Sequence, residues 1–529
     1  MIDDLETRAS SSAWNAGELI RAARILYWLA PVVVCVALYW PGLRTWFQQD
    51  DFGWLGLHNQ VTDVRSLLRA LFAPMAEGTI RPFSERGFFL IFSSIFGLRA
   101  SPYRLFVLLN QILNVVLLML VTRKLTKSEL AGFLAPLLWL SNIALIIPMS
   151  WSSSYNEIQY TTFLLTGVYL FIRYTETGLR RLYWTQCVIF ILGFGSLEIN
   201  VVYPAIIALY ALLFAREYFR STLPMFGVSL IFTVTDRLLG RHMGNFYYEM
   251  DFHPSSLITT LAQHWNILLG VSAYGDPAHW PSWVIGLAIA LLTGAIIIFA
   301  VCTTWKRQFL AIFCLGWFLI VLGPLLPLHN HVIQYYPAIP AIGIAILAAH
   351  ALSVAWKRSL TMAAVAAAIS LLYVLPSVSV VHAGMGYYFD RAARVRSLFL
   401  SVADAKAAHP GKAILIENVD NDLFWSALYY RPFSLVGWND VLLTPESRSL
   451  ITEDPHFPPL DSYFLTQTAT KALLEKGTGI VYSIEGETLR DVTSSYVRNA
   501  DSADDGGKGH SARLRGGAGL IMDLASSAR

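Results

Sequence analysis

The feature that most constrains this chain is a recurrence of apolar runs about as long as a bilayer is thick. A helix needs about 20 mostly apolar residues to cross the hydrocarbon layer. Such runs occupy roughly residues 25–43, 103–122, 130–149, 158–174, 183–197, 199–215, 221–239, 282–304, 308–327, 332–354 and 360–383. They predict a polytopic α-helical membrane protein with about eleven transmembrane helices. Charged residues make up 14% of the chain, against about 25% in soluble domains, which excludes a soluble enzyme. A net charge of +3 gives no reason to expect a nucleic-acid partner.

The loops between these runs fall into two chemical sets. Alternate loops carry Arg21 and Arg24, then Arg123, Lys124 and Lys127, then Arg173, Arg180 and Arg181, then Arg216 and Arg220, Lys306 and Arg307, and Lys357 and Arg358. The positive-inside rule makes these loops and the amino terminus cytoplasmic and puts the tail after residue 384 on the far side. The other set holds Asp50, Asp51, Glu77, Glu85, Glu157, Glu198, Glu249, Asp251 and Asp276, with His253, His279, His329 and His331. Long loops rich in acid and base groups are where chemistry is expected, so the active face is predicted to be the outer one.

The expected organisation is a cytoplasmic leader over 1–24, a membrane catalytic domain over 25–384, an extracytoplasmic α/β domain over 385–498 and a disordered tail over 499–529. In the α/β part, Ala413–Glu417 and Gly479–Ile484 read as strands, and Phe389–Ala408 and Phe464–Glu475 as helices. The segments 61–72 and 257–268 repeat apolar residues at helical spacing and predict helices lying in the interface or packed onto other protein, and the short run 88–98 predicts an interfacial segment. Cys35, Cys187, Cys302 and Cys314 all lie in apolar runs without metal-site spacing and read as small buried side chains.

Six places bear chemistry-capable residues. Asp50 and Asp51 follow the first run directly, and in an extended loop two adjacent carboxylates can face one cleft as a general base or a metal ligand. The alternative is a solvated end to the span. Arg81 sits on the face that positive-inside disfavours, and its guanidinium suits a phosphate. Arg104 reads as a snorkelling side chain. Glu157 either meets sugar hydroxyls or a metal, or completes a capping box begun by Ser154. Glu198 lies between two apolar runs, a costly place for a carboxylate without a role or partner. His329 and His331, two residues apart, would point the same way on an extended loop and contact substrate phosphate or a metal; the alternative is a pair of surface histidines. Asp236 and Arg237 read as a local ion pair, and Asn110 and Asn114 as contacts between helices.

The order of these motifs resembles a known family. Asp50-Asp51 after the first span, Arg81-Pro82, Gly97 to Tyr103 before the second span, Ser196-Leu197-Glu198, and Leu328-His329-Asn330-His331 with Tyr335-Tyr336 are similar to the multi-spanning glycosyltransferases of the GT-C fold. That family includes protein O-mannosyltransferases and bacterial relatives. Leu197 stands where relatives often carry Lys, and His329 where they often carry Pro.

The resemblance implies a transferase in a bacterial inner membrane that takes a sugar from a polyprenyl-phosphate donor. It implies an inverting transfer to a hydroxyl of a glycan, glycolipid or protein at the periplasmic face. Asp50 is then the favoured base, with Asp51 beside it or on a divalent metal. Arg81, Glu157, Glu198, His329, His331 and Tyr335 are the implied substrate contacts. No cofactor follows from the resemblance, a divalent metal stays open, and so does the oligomeric state. The competing readings are a transporter or flippase of lipid-linked saccharides and a non-catalytic assembly scaffold. The first predicts internal repeats with matching broken spans, which the sequence lacks.

Overall fold

The computed structural model describes residues 21–22, 24–76, 78–239, 246–270, 281–486 and 488–505. Most of the expected leader, Glu77, Asp276, His279 and the tail beyond 505 lie outside the described residues.

Each of the apolar runs holds a helix. Six helices are long and apolar enough to cross a membrane: Arg24–Arg44, Ala100–Thr126, Arg216–Leu239, Ser282–Trp305, Tyr336–Arg358 and Leu360–Ala408. A seventh crossing is the pair Glu129–Leu140 and Ile143–Ser150, bent by 62°. The bend has a local cause. Asn142 accepts from Ala144 N at 2.9 Å, which restarts the helix, and donates to Leu268 O at 2.8 Å. The remaining expected spans correspond to Tyr155–Thr177, Arg180–Gly193, Glu198–Phe214 and Leu310–Leu325, which fall short in length or apolarity. Six or seven crossings, rather than eleven, therefore qualify by length and composition among the described residues.

Burial separates the helices by role. Ser282–Trp305 turns Ile297, Ile298, Val301 and Trp305 outward. An apolar surface of that extent is unstable in water and at ease against acyl chains. Tyr336–Arg358 is central, with Ile342, Ile346 and Ala349 wholly enclosed.

Leu360–Ala408 is a single helix of 49 residues. At 1.5 Å per residue it is about 74 Å long, far more than one crossing. The boundary expected at 384/385 therefore lies inside one unbroken helix, which carries the chain from the helical bundle into the α/β part.

The α/β part is a four-stranded sheet in the order β2-β1-β3-β4: β1 Ala413–Glu417, β2 Val441–Leu443, β3 Gly479–Glu485 and β4 Thr488–Asp491. β1 pairs in parallel with β2 and β3, and β4 closes one edge antiparallel. This unit rests directly on the loop after the first span. Gln49 N donates to Ser426 O at 2.7 Å, and Asn59 Nδ2 to Leu435 O at 3.2 Å. Three shorter helices lie between the spans: Val64–Phe72, capped reciprocally by Asp63 and Ser66, Phe88–Phe96, and Pro254–Leu268.

Candidate active site

The strap after the first span is pinned before it reaches Asp50. At Gly42 a Cβ would stand 2.1 Å from the Met149 carbonyl, so only glycine permits this crossing. Gly42 O in turn accepts from Arg104 Nε at 2.9 Å. Arg104 is thus a buried brace for the strap, not a snorkelling side chain.

The two adjacent carboxylates then part company. The extended loop expected there is instead the short helix Asp51–Leu55, and a helix turns neighbours to different sides. Asp51 is fully buried. Its Oδ1 accepts from Ser153 N at 2.8 Å and from Ser153 Oγ at 2.5 Å, and its Oδ2 accepts from Gln48 N at 3.1 Å. Asp50 faces a cavity, and its Oδ1 is enclosed with no hydrogen-bond partner. Burial, and then the neighbouring Asp51 charge, push the Asp50 carboxyl well above the usual carboxylate range. Burial pushes Asp51 up to about 6, while the Ser153 and Gln48 hydrogen bonds pull it back.

Arg81 enters from a different loop. Phe83 N donates to Gly195 O at 2.8 Å and Ser84 Oγ to Ser196 O at 2.8 Å, so the 81–87 turn lies flat on the 193–198 segment. A Cβ on Gly195 would stand 2.3 Å from the Phe83 ring. This docking sets Arg81 against Glu198, with Nε 2.9 Å from both carboxylate oxygens and a second nitrogen 2.9 Å from Oε2. Its remaining edge pairs with Glu85. Burial raises the Glu85 carboxyl, with Arg81 acting against it, and Glu85 Oε2 is enclosed without a partner. Arg86, one residue on, is wholly buried and donates to the Leu71 and Ala73 carbonyls at 3.1 and 2.6 Å. It closes the loop that brings the turn into place.

These two walls enclose a cavity of about 420 Å³. Glu157 forms part of it from the first turn of Tyr155–Thr177. Only 6% of Glu157 is exposed, and Ser154 makes no side-chain cap, so the capping box allowed by the sequence does not form. Tyr335 and Tyr336 complete the opposite side. Trp139 Nε1 holds that segment through Ala338 O at 2.7 Å, and Trp317 Nε1 through Ile339 O at 3.1 Å. Trp54 and Trp151 line the cavity with both indole N–H groups enclosed and unpartnered.

The structure thus gathers Asp50, Arg81, Glu157, Glu198 and Tyr335 around one space. It leaves out three of the predicted residues. Asp51 points away into its own hydrogen bonds. His329 is exposed on a turn. His331 packs against Tyr248, ring centroids 4.5 Å apart, and burial pushes it down to about 4, so its imidazole is neutral at pH 7. The two histidines diverge because the backbone turns at 329–330 rather than running extended. The structure also adds Glu85, Trp54, Tyr336 and Asp236. Glu85 was signalled by its place four residues after Arg81, and Asp236 by standing in an apolar helix. The lining carboxyls of Asp50, Glu85, Glu157, Glu198 and Asp236 outnumber the Arg81 guanidinium, so the space is rich in carboxyl groups, and burial raises Asp50, Glu85 and Glu157, the last to about 8, toward the neutral acid. Among the described residues no three or more His, Cys, Asp and Glu side chains are grouped to hold a metal ion.

No protein-family model matches the chain, and no curated protein matches it. Solved structures do align with it at low identity. The apo oligosaccharyltransferase of Archaeoglobus fulgidus covers 87% of this chain and 69% of its own at 13% identity, with a TM-score of 0.47. AglB from the same organism, solved with an inhibitory peptide and a dolichol-phosphate, has the same coverage and identity and a TM-score of 0.45. ArnT from Cupriavidus metallidurans, bound to undecaprenyl phosphate, covers 91% of this chain and 95% of its own at 13% identity, with a TM-score of 0.43. With every TM-score below 0.5, no part of the functional reading rests on these likenesses.

Proposed function

We propose that the chain is a membrane glycosyltransferase of the GT-C type. It moves a sugar from a polyprenyl-phosphate donor to an acceptor hydroxyl at the periplasmic face of a bacterial inner membrane. The observation that carries this is the set of enclosed, unpartnered polar atoms around one cavity beside the first span: Asp50 Oδ1, Glu85 Oε2, Trp54 Nε1 and Trp151 Nε1. An enclosed polar group without a partner calls for an explanation, and four of them lining one cavity are groups that a ligand entering it can complete.

On this reading the residues act as follows. An isoprenoid tail stays in the bilayer, so its phosphate arrives at the depth of this cavity. The acceptor hydroxyl gives its proton to Asp50 as its oxygen bonds to the anomeric carbon. The bond from that carbon to the phosphate oxygen breaks on the opposite side, the phosphate leaves with the electron pair, and the configuration inverts. Burial suits Asp50 to this role because a raised carboxyl is a stronger base near neutral pH. Trp54, Trp151, Tyr335 and Tyr336 offer faces for the sugar ring, and Glu157 accepts from its hydroxyls. Arg81 meets the leaving phosphate by exchanging one of its carboxylate partners for it.

The test compares glycans and glycolipids by mass spectrometry in cells lacking the gene and in the same cells carrying wild type or Asp50→Asn. A hexose or pentose that appears on one acceptor with wild type alone is the expected result. The same product with Asp50→Asn would remove the mechanism.

A further inference from the structure

A second cavity on the same face has the opposite chemistry. It measures about 340 Å³ and is lined by Arg44, Trp46, Phe389, Ala393, Arg396, Ser397 and Leu400, sharing no residue with the carboxyl-rich one. We propose that it binds the anionic phosphate headgroup of a lipid in the outer leaflet.

The depth fits a headgroup. Arg24–Arg44 has 21 residues, about 30 Å, so Arg44 stands at the outer edge of a hydrocarbon layer of that thickness. Phe389 lies 29 residues into the long helix, about 44 Å from its start, which matches a bilayer including its headgroup zones. Arg396 stands two turns further out. Arg44 and Phe389, at the floor of the cavity, therefore stand at the headgroup layer, and Arg396 rises about 10 Å above it.

The charge fits as well. Arg44 and Arg396 are both exposed, on the face where positive-inside disfavours cations, and neither makes an ion pair among the described residues. Arg44 lies over the Phe389 ring at 5.1 Å from its centroid, which orients the guanidinium without neutralising it. A planar guanidinium grips a phosphate with two parallel hydrogen bonds. Exposed Leu400 and the buried Trp46 indole give the lipid an apolar flank. Trp46 is also a rigid wall. Its Nε1 donates to Leu98 O at 3.3 Å, and its ring packs against Phe52 and Phe399 at 5.8 and 5.4 Å. A headgroup bound here rests on the strap that carries Asp50, on its other side.

The experiment uses the full chain in nanodiscs doped with phosphatidylglycerol that carries a photoreactive group beside its phosphate. Adducts are mapped by mass spectrometry. Labelling is expected on the peptides holding Arg44–Trp46 and Phe389–Leu400. Each basic side chain near an anionic surface contributes a factor of about five, so Arg44→Gln with Arg396→Gln should lower labelling about twenty-five-fold. Arg396→Lys, which keeps the charge, should retain most of it, and this separates charge from any loss of fold. Three outcomes would overturn the proposal. They are undiminished labelling of the double variant, equal labelling by a zwitterionic phosphatidylcholine probe, and displacement by millimolar inorganic phosphate, which would make the ligand a free anion.

Discussion

The two walls of the carboxyl-rich cavity hold their charges in opposite ways. On one wall Asp50 stands next to a fully satisfied Asp51 yet keeps an oxygen without a partner. On the other, Arg81 spends every edge of its guanidinium on Glu85 and Glu198. A paired charge holds segments together. An unpaired one is poised to react and does little for stability. Substitutions on the two walls should therefore fail differently, at Asp50 in turnover alone and at Arg81 in folding as well as turnover.

The largest expected effect is on the open wall. Asp50→Asn should lower transfer about 10²–10⁴-fold, the usual loss with a general base. Its melting temperature should stay level or rise. The sign follows from linkage: the folded-state pKa of Asp50 is raised, so ionisation near neutral pH works against the fold, and a neutral Asn removes that cost. Labelled donor turnover and a thermal melt on one preparation decide it. Loss of turnover together with a collapsed melt would merge the two walls into one structural cluster.

The paired wall should show the reverse. Arg81→Gln leaves Glu85 and Glu198 facing one another. Breaking a fully buried pair costs about 3–5 kcal/mol, and because Arg81 and Glu198 keep 20% and 24% of their surface, about 2 kcal/mol is expected here. Adding Glu85→Gln should recover part of that loss, since one of the stranded charges is then gone. A double variant no more stable than Arg81→Gln alone would mean that the clamp holds by packing rather than by charge.

Asp51→Asn probes the link between the two behaviours. An Asn can accept from Ser153 but then turns its amide N–H toward Gln48 N, so about 1 kcal/mol of stability should go. The pH profile is the sharper readout. The Asp51 charge helps to raise Asp50, so removing it should shift the rising acid limb of activity to lower pH. An unmoved limb would mean that Asp50 is not the group titrating there.

What could be read from the sequence divides along the same line. The open wall was legible because Asp50 and Asp51 directly follow an apolar run whose length alone announces it. The clamp was not, because Arg81 and Glu198 lie 117 positions apart and meet only through the close approach of Phe83 to Gly195. Glu85 was within reach, since its spacing from Arg81 is one helical turn. The strands β2 and β4 went unseen at three and four residues, too short for alternation to register. The long helix looked like two, a span over 360–383 and a helix over Phe389–Ala408, because the composition changes after residue 384. Gly384 serves contact, with Ile146 so near that a Cβ would stand 2.8 Å from it.

The smallest effect belongs to the histidines, which separate a residue near the cavity from one merely close in sequence. His329 is exposed on its turn, so His329→Ala should change stability by no more than about 0.5 kcal/mol and leave the Michaelis constants for donor and acceptor unaltered. His331 sits among Tyr247, Tyr248 and Tyr336, the last of which lines the cavity. Its neutral ring carries no charge for a phosphate at pH 7, so His331→Ala should act through packing alone. The expected signature is a modest rise in both Michaelis constants, insensitive to pH between 6 and 8. Substituting His331 with Gln, which fills much of the same space, should then restore most of the loss. A rise confined to the donor and growing as pH falls would show instead that the ring becomes charged when phosphate arrives. That would add a cation to a cavity whose described lining holds one guanidinium against five carboxyls.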